Sequence, residues 1–396
     1  MAVTDLPLLR ALDRPVDPPA RVTLAAHEAH IGVFDGLRGI AILLVVWYHV
    51  ALVTHAVSAW PVFGSTLSLQ AIAQTGFIGV DLFFFVSGFC LFYPYARTIV
   101  EGRELMPVRE FARKRLTKII PSYLIALTAF ALLYRQSFES PHDFWRQFGL
   151  HIAFLHPLFQ DSFGSISGPL WTLGIEVEFY VLFPLICWFF RRQPFIVFAL
   201  LAIGAVFYRV SLSVHGTTGM LYQTDQLPAV IDLFASGMLA SYLIVLARKH
   251  LRESLVRRVA FTAVGVGAAA AVVFLLYHLS AAGDAGGPAG SYAWLNDHRF
   301  SFAALFTATG VGLTLGLPIG RFLVMNPALS YLAAISYNLY LWHLEIIWQA
   351  HLLLQRLPLW ATIGIAVACA LAIATAVTYA IERPMLRLGG TATKPR

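Results

Sequence analysis

The sequence predicts an all-α polytopic membrane protein, a bundle of about ten transmembrane helices with both termini cytoplasmic. Three observations carry that expectation. Of the 396 residues, 58% are hydrophobic and only 12% are charged, against roughly 25% charged in a soluble globular domain. Apolar runs near the ~20 residues that cross a ~30 Å hydrocarbon core recur along the whole chain. The basic residues collect at alternate ends of those runs, which selects one orientation. The same composition excludes disorder outside short tails.

Residues 1–33 are polar and rich in Pro, Arg and His. They contain no apolar signal-peptide core, so they read as a disordered cytoplasmic tail. The apolar runs follow at 37–57, 76–96, 119–135, 170–190, 194–213, 228–247, 258–279, 299–320, 329–354 and 359–381. An eleventh, 144–159, is short and holds His151, His156 and Pro157, so it reads as re-entrant or interfacial. With the N-terminus inside, 22 of the 28 Lys and Arg fall in cytoplasmic segments, 4 in outer segments, and Arg38 and Arg209 within helices. If 144–159 crossed, every later segment would invert and that asymmetry would collapse. The domain plan is therefore a tail at 1–33, a membrane domain at 34–387 and a cytoplasmic C-terminal tail at 388–396. The expected location is the inner (cytoplasmic) membrane, multi-pass. The longest outer segment, 136–169, is the candidate for an ordered lid.

The net charge of +7 reads as topology, not as nucleic-acid affinity. Cys90, Cys187 and Cys369 each sit in an apolar run outside any CxxC pair, so they read as packing residues. HEAH at 27–30 falls one residue short of HExxH, and no metal site is expected. No GxSxG, Walker or GxGxxG motif is present.

An ionisable side chain at the centre of a membrane helix costs about 2.5–3.5 kcal/mol on insertion scales, so each one is a functional candidate. Arg38 and His49 lie 11 residues apart in the first run. At 100° per residue they share a helix face, separated by about 16.5 Å along the axis. Imidazole can act as a general base at neutral pH, and an interfacial arginine can hold a phosphate bidentately. The alternative is an arginine that snorkels to the interface and a histidine that bonds a neighbouring helix. The loop 97–118 holds seven basic and three acidic residues. Topology alone explains it, and so does a phosphate-rich cytosolic ligand such as a coenzyme A thioester. Glu176 and Glu178, two residues apart, cannot share a face. One of them can join His49, as can Asp81 from the second run, if depth allows. His343 and Glu345 are excluded as a same-face pair by the same spacing. His343 reads equally as a site residue or as a helix–helix bond.

Taken together these segments resemble the acyltransferase 3 family of bacterial integral-membrane O-acyltransferases. The family's D-G-x-R-G start and Arg-x10-His pair are matched by Asp35, Gly36, Arg38, Gly39 and His49. Its G-V-D-x-F-F-x-x-S-G-F block is matched by Gly79 to Phe89. Phe111, Arg115, Ile119 and Pro121 match its cytoplasmic basic block, in which Lys114 and Lys118 replace arginines. That replacement keeps charge but loses the bidentate fork. Trp171, Thr172, Leu173, Glu176, Phe179 and Tyr180 match a further block, with Val177 where a second acid is usual. Ser336, Tyr337, Tyr340 to His343, and Glu382 to Pro384 match the closing signatures.

The resemblance implies transfer of an acyl group, usually acetyl, from cytosolic acyl-CoA to a hydroxyl of a carbohydrate or glycosylated acceptor. It implies His49 as base or acyl-relay residue, with Asp81 or Glu176 orienting it or the acceptor. Arg38, Arg113, Lys114, Arg115 and Lys118 would contact the coenzyme A phosphates. Asp35, Trp171, Glu178, Tyr337 and His343 are further candidate site residues. Many relatives append an outer hydrolase-like domain; the expectation here is a chain that acts alone or with a separate partner. The competing class is a transporter or flippase of a glycan or lipid intermediate, which also uses intramembrane charge. A scaffold without chemistry is the third.

Overall fold

The computed structural model describes residues 31–55, 69–102, 104–216 and 221–388. The expected tails, apart from 31–33 and 388, and the HEAH segment lie outside the described residues. In chain order the helices are α1 (Gly32–Thr54), α2 (Leu69–Gln74), α3 (Ile78–Glu101), α4 (Val108–Leu133), α5 (Pro141–Ile152), α6 (Trp171–Phe190), α7 (Pro194–Val214), α8 (Leu221–Thr224), α9 (Leu227–His250), α10 (Leu255–Leu315), α11 (Pro318–Phe322), α12 (Pro327–Leu353), α13 (Leu359–Val377) and α14 (Arg383–Leu388). No strand occurs among the described residues. Eight helical segments are long and apolar enough to cross a membrane; they contain α1, α3, α4, α6, α7, α9, α10 and α13. At 27 residues α12 is about 40 Å long but carries Ser336, Asn338, His343 and Glu345, all buried.

Two expectations change at α10 and α4. A straight helix of 61 residues would measure about 92 Å, some three times the hydrocarbon core. Instead α10 folds back on itself. Gly287 leaves helical geometry at φ 65°, ψ −161°, with Pro288 next. The left-handed φ is readily taken by glycine and by few other residues. Gly265 then lies against the backbone of Gly312 and Leu313, and Gly283 beside Ser291. The two arms are antiparallel, and the expected helices at 258–279 and 299–320 are parts of them. The residues between, expected as a loop, are helical too, because hydropathy marks where a helix crosses lipid and not where its hydrogen bonds stop. For the same reason α4 begins at Val108, so the basic stretch before residue 119 is its first three turns.

The tightest packing joins α3 and α9. A Cβ on Gly88 would stand 2.8 Å from Phe234 Cα, and one on Gly237 would stand 2.6 Å from Phe89 N, closer than real carbon atoms approach. Small residues of this kind let backbones meet where no hydrophobic driving force separates helix from lipid.

Buried charges tie the remaining helices. Arg209 on α7 forks onto Asp232 of α9 at 3.0 and 2.7 Å and donates to the Ala229 carbonyl at 2.6 Å. Arg299 on α10 donates to Asp81 of α3 at 2.9 Å, to Asp225 at 2.7 Å and to the Thr224 carbonyl. All these side chains are buried. Arg299, counted from sequence among outer-segment charges, is therefore an interior residue that neutralises two carboxylates.

The segment 136–170 is ordered and packs on the neighbouring helices. Ser140 caps α5 by accepting from the Asp143 N–H at 3.1 Å, with Pro141 at the first helical position. Twelve residues give about 18 Å, too short to cross. His151 and His156 stack at 4.0 Å. His151 Nδ1–H donates to the Gln147 carbonyl at 2.9 Å and His156 Nε2–H to the Leu170 carbonyl at 3.1 Å. The Tyr123 hydroxyl holds the His151 carbonyl at 2.9 Å, and Gln226 holds the Pro157 carbonyl at 3.0 Å. Burial pushes His151 down to about 3 and His156 down to about 4, and His156 adds to the depression of His151.

Two outcomes follow from these contacts. Arg299→Met strands two buried carboxylates, so thermal unfolding in detergent should show a loss of about 3–5 kcal/mol. Adding Asp81→Asn and Asp225→Asn should recover most of it; an unchanged melting temperature in the single variant would contradict the assignment. The histidine pair is neutral when folded and titrates near 6.5 when exposed. The open form therefore binds more protons below that pH, and the pair's contribution, complete above 6.5, is lost as pH falls toward 4. Hydrogen exchange over 141–170, corrected for intrinsic rate, should show weaker protection at pH 5 than at pH 7. His151→Phe with His156→Phe should remove the difference.

Candidate functional site

The site is built where α1 and α12 run side by side. Gly39 faces the backbone of Leu329, where a Cβ would stand 3.0 Å from its Cα, and Gly36 faces Val324. This close approach carries Arg38 and His49 onto α12. Arg38 Nε donates to the Ser336 hydroxyl at 2.8 Å. About three turns further, His49 Nδ1 lies 3.0 Å from His343 Nε2, with the two rings edge to face at 4.8 Å.

The proton positions in this pair follow from its neighbours. A backbone carbonyl only accepts. His343 Nδ1 faces the Tyr340 and Leu339 carbonyls at 2.8 and 3.1 Å, so it carries the hydrogen. In the neutral ring His343 Nε2 is then an acceptor. His49 Nδ1 must donate to it, as its second contact, the Val45 carbonyl at 2.9 Å, also requires. His49 Nε2 is left with its lone pair free. The arrangement fixes His49 in the tautomer of a general base.

Below the pair lies a cavity of about 100 Å³, bordered by Arg38, Ser87, Arg115, Lys118, Glu176 and Tyr340 among others. That volume admits the narrow end of a ligand, since whole-ligand pockets run to roughly 300–1,000 Å³. Ser87 donates to Glu176 Oε1 at 2.6 Å. Lys118 donates to Glu382 Oε1 at 2.7 Å, and Asn338 Nδ2 donates to the other carboxylate oxygen at 2.8 Å. Arg115 Nε is buried without a hydrogen-bond partner among the described residues. The Tyr337 hydroxyl, also at this cavity, donates to the Ile119 carbonyl at 2.8 Å. Tyr340 spans from the cavity wall to the His343 ring, 5.7 Å away.

On the opposite end of α1 a wider vestibule of about 380 Å³ opens between α1, α2 and the tip of the α10 hairpin. Tyr48, Phe77 and Tyr292 form one aromatic wall, with ring centroids 5.4 and 5.5 Å apart in sequence. Gln70, Gln74, Ser280, Asp284 and Ser291 supply polar groups, of which Ser280 donates to Gln74 at 3.0 Å. Tyr48 is the residue before His49, and its ring lies 5.0 Å from the imidazole. Both cavities therefore come within one side chain of the histidine pair.

The expected site residues separate into two groups. Arg38, Arg115, Lys118, Glu176 and Tyr337 meet at the lower cavity, and His49 meets His343 above it. Arg113 is exposed and Lys114 pairs with Glu110 at 2.7 Å. Neither borders the cavity, so two of the five expected phosphate contacts lie outside it. Asp81 is held by Arg299 and does not accompany His49. Glu176, expected at the depth of His49, sits with Arg38 and Lys118. Glu178 does not border the cavity, and its Oε1 is buried without a hydrogen-bond partner among the described residues. Trp171 stacks on Phe163 at 5.1 Å outside the cavity, and Asp35 is half-buried in the first turn of α1. Glu345 accepts from the Tyr134 hydroxyl, on a different face from His343. Cys90, read as a packing residue, borders the cavity. Ser87 and Asn338 were not singled out from the sequence. Ser87 is the serine of the matched S-G-F block, and the only signal for Asn338 is a polar residue within an apolar run.

A family model described as an acyltransferase domain matches residues 31–381. The chain is 25% identical over 339 residues to the O-acetyltransferase OatA of Staphylococcus aureus strain NCTC 8325 / PS 47, covering 79% of this chain and 50% of that protein. It is 26% identical over 174 residues to the peptidoglycan O-acetyltransferase OatA of Listeria monocytogenes, covering 41% of this chain and 25% of that protein. The chain spans about half the length of the first of these relatives and a quarter of the second. No solved structure matches it.

Proposed function

The chain belongs to the acyltransferase 3 family, and from that premise we propose that it is a membrane O-acyltransferase that moves an acetyl group from cytosolic acetyl-CoA to a hydroxyl of a carbohydrate presented at the outer face. The observation that carries this reading is the pairing of His49 with His343, with one cavity next to Tyr340 and the other next to Tyr48, toward opposite ends of α1. The carbohydrate acceptor is suggested by the aromatic and amide lining of the vestibule and by the peptidoglycan named for the Listeria relative. The proposed topology is ten crossings with both termini cytoplasmic, counting the two arms of α10 separately and including α12.

In this mechanism the thioester end of the donor rises through the lower cavity, and Arg38, Arg115 and Lys118 bind its anionic part at the cytoplasmic mouth. The acceptor hydroxyl approaches from the vestibule. His49 Nε2 takes its proton as the oxygen bonds the thioester carbon. When the carbon–sulfur bond breaks, the imidazolium returns that proton to the leaving thiolate, giving an ester and free coenzyme A. His343 touches no reacting atom. It is a positioning residue that holds the His49 tautomer and accepts the hydrogen bond which strengthens as His49 becomes charged.

Purified protein with acetyl-CoA and an oligosaccharide acceptor should release coenzyme A and form an ester. His49→Ala should lower kcat by about 10²–10⁴-fold, the usual contribution of a general base. His343→Ala should lower kcat by about 10²-fold, as loss of alignment does, with KM for acetyl-CoA unchanged. Wild-type turnover in His49→Ala would overturn the mechanism, and glycan crossing the membrane without ester formation would favour a flippase.

A further inference from the structure

A third cavity lies apart from the site, at the end of the bundle that carries Arg38 and Lys118. It measures about 290 Å³ and sits between the last turn of α9, the first turns of α10, and α11. Its wall brings together Arg248, Arg252, Arg257, Arg258 and Arg321 against one carboxylate, Glu253. None of the five arginines lies within ion-pair distance of a carboxylate among the described residues. Arg321 is half-buried; its Nη2 donates to the Gly316 carbonyl at 3.0 Å, and its Nε is buried with no hydrogen-bond partner among the described residues. Burial first, then the charges of Arg258 and Arg248, lower the Arg321 pKa. Orientation of the chain in a membrane accounts for arginines at this end. It does not account for their convergence on one cavity with an unsatisfied donor.

The cavity does not end in solvent alone. A groove of about 420 Å³ between α9 and α10 continues from it and shares Ala247, Leu251, Phe261 and Leu315 with its wall. Beyond these the groove is lined by Leu243, Leu246, Val311 and His250, so it offers almost nothing to a polar ligand. A cationic pocket joined to an apolar channel between membrane helices is complementary to an amphiphile with an anionic head.

We infer that this end of the bundle binds an anionic phospholipid, its phosphate among Arg257, Arg258 and Arg321 and one acyl chain in the groove between α9 and α10. A soluble coenzyme or nucleotide phosphate would match the arginines but not the channel. The inference is independent of acyl transfer, and its test does not read activity.

The full chain, purified in mild detergent with equal phosphatidylglycerol and phosphatidylcholine, is examined by native mass spectrometry. The expected result is one retained phosphatidylglycerol and no comparably retained phosphatidylcholine. Replacing Arg257, Arg258 and Arg321 together by Gln should weaken retention about a hundredfold, given roughly 1 kcal/mol per basic residue at an anionic surface. Leu315→Trp fills the channel and leaves all five arginines, so it should lose the lipid as well while the protein stays monodisperse. Undiminished retention in either variant overturns the inference, as does equal retention of the two lipids. Displacement of phosphatidylglycerol by coenzyme A would assign the cavity to a soluble phosphate ligand instead.

Discussion

The arrangement of the site depends on one contact, the glycine-mediated approach of α1 to α12. With Gly36 and Gly39 against Val324 and Leu329, the two helices run parallel at backbone distance. Arg38 then reaches Ser336, and His49 reaches His343 at 3.0 Å. A hydrogen bond between two ring nitrogens tolerates displacements of a few tenths of an ångström. A methyl group at either glycine would exceed that by pushing the helices apart, and His49 would keep only its contact to the Val45 carbonyl within α1. The alignment of His49 with His343 thus traces back to two missing side chains about three to four turns away.

The bilayer imposes the second constraint, because it leaves no inexpensive place for an unpaired charge. Arg209 is matched to Asp232, and Arg299 to Asp81 and Asp225. These pairs lash α3, α7, α9 and α10 into a scaffold that does not touch the histidines. Where polar groups lack such internal partners, at Arg115 Nε and Arg321 Nε, they border cavities. Paired charge marks the frame.

Much of this was legible in the sequence. The 20-residue apolar runs located the eight helical segments that are long and apolar enough to cross a membrane. The 11-residue spacing put Arg38 and His49 on one face, and both meet α12. The face argument that separated Glu176 from Glu178, and His343 from Glu345, matches their different neighbours. What local spacing does not contain is which helices adjoin. Asp81 was expected near His49 because their depths agree, but depth says nothing about the partner across the interface, and Arg299 arrives from a helix more than 200 residues later. The meeting of His343 with His49 was hidden for the same reason, since a lone histidine on an apolar helix looks alike whether it bonds a carbonyl or a second imidazole. The α10 hairpin was only half visible, because a helix that leaves the lipid loses its hydropathy signal while keeping its hydrogen bonds.

One consequence of the geometry is directional. The narrow cavity with Arg115 and Lys118 and the broad aromatic vestibule lie at opposite ends of α1, with the histidine pair between them. In the proposed mechanism this arrangement separates donor from acceptor by the membrane itself. The most direct measurement seals [¹⁴C]acetyl-CoA inside proteoliposomes of uniform orientation and supplies an oligosaccharide only outside. Labelled ester on the external oligosaccharide, without leakage of acetyl-CoA, is the predicted result. Ester that forms only when donor and acceptor share one compartment would contradict it.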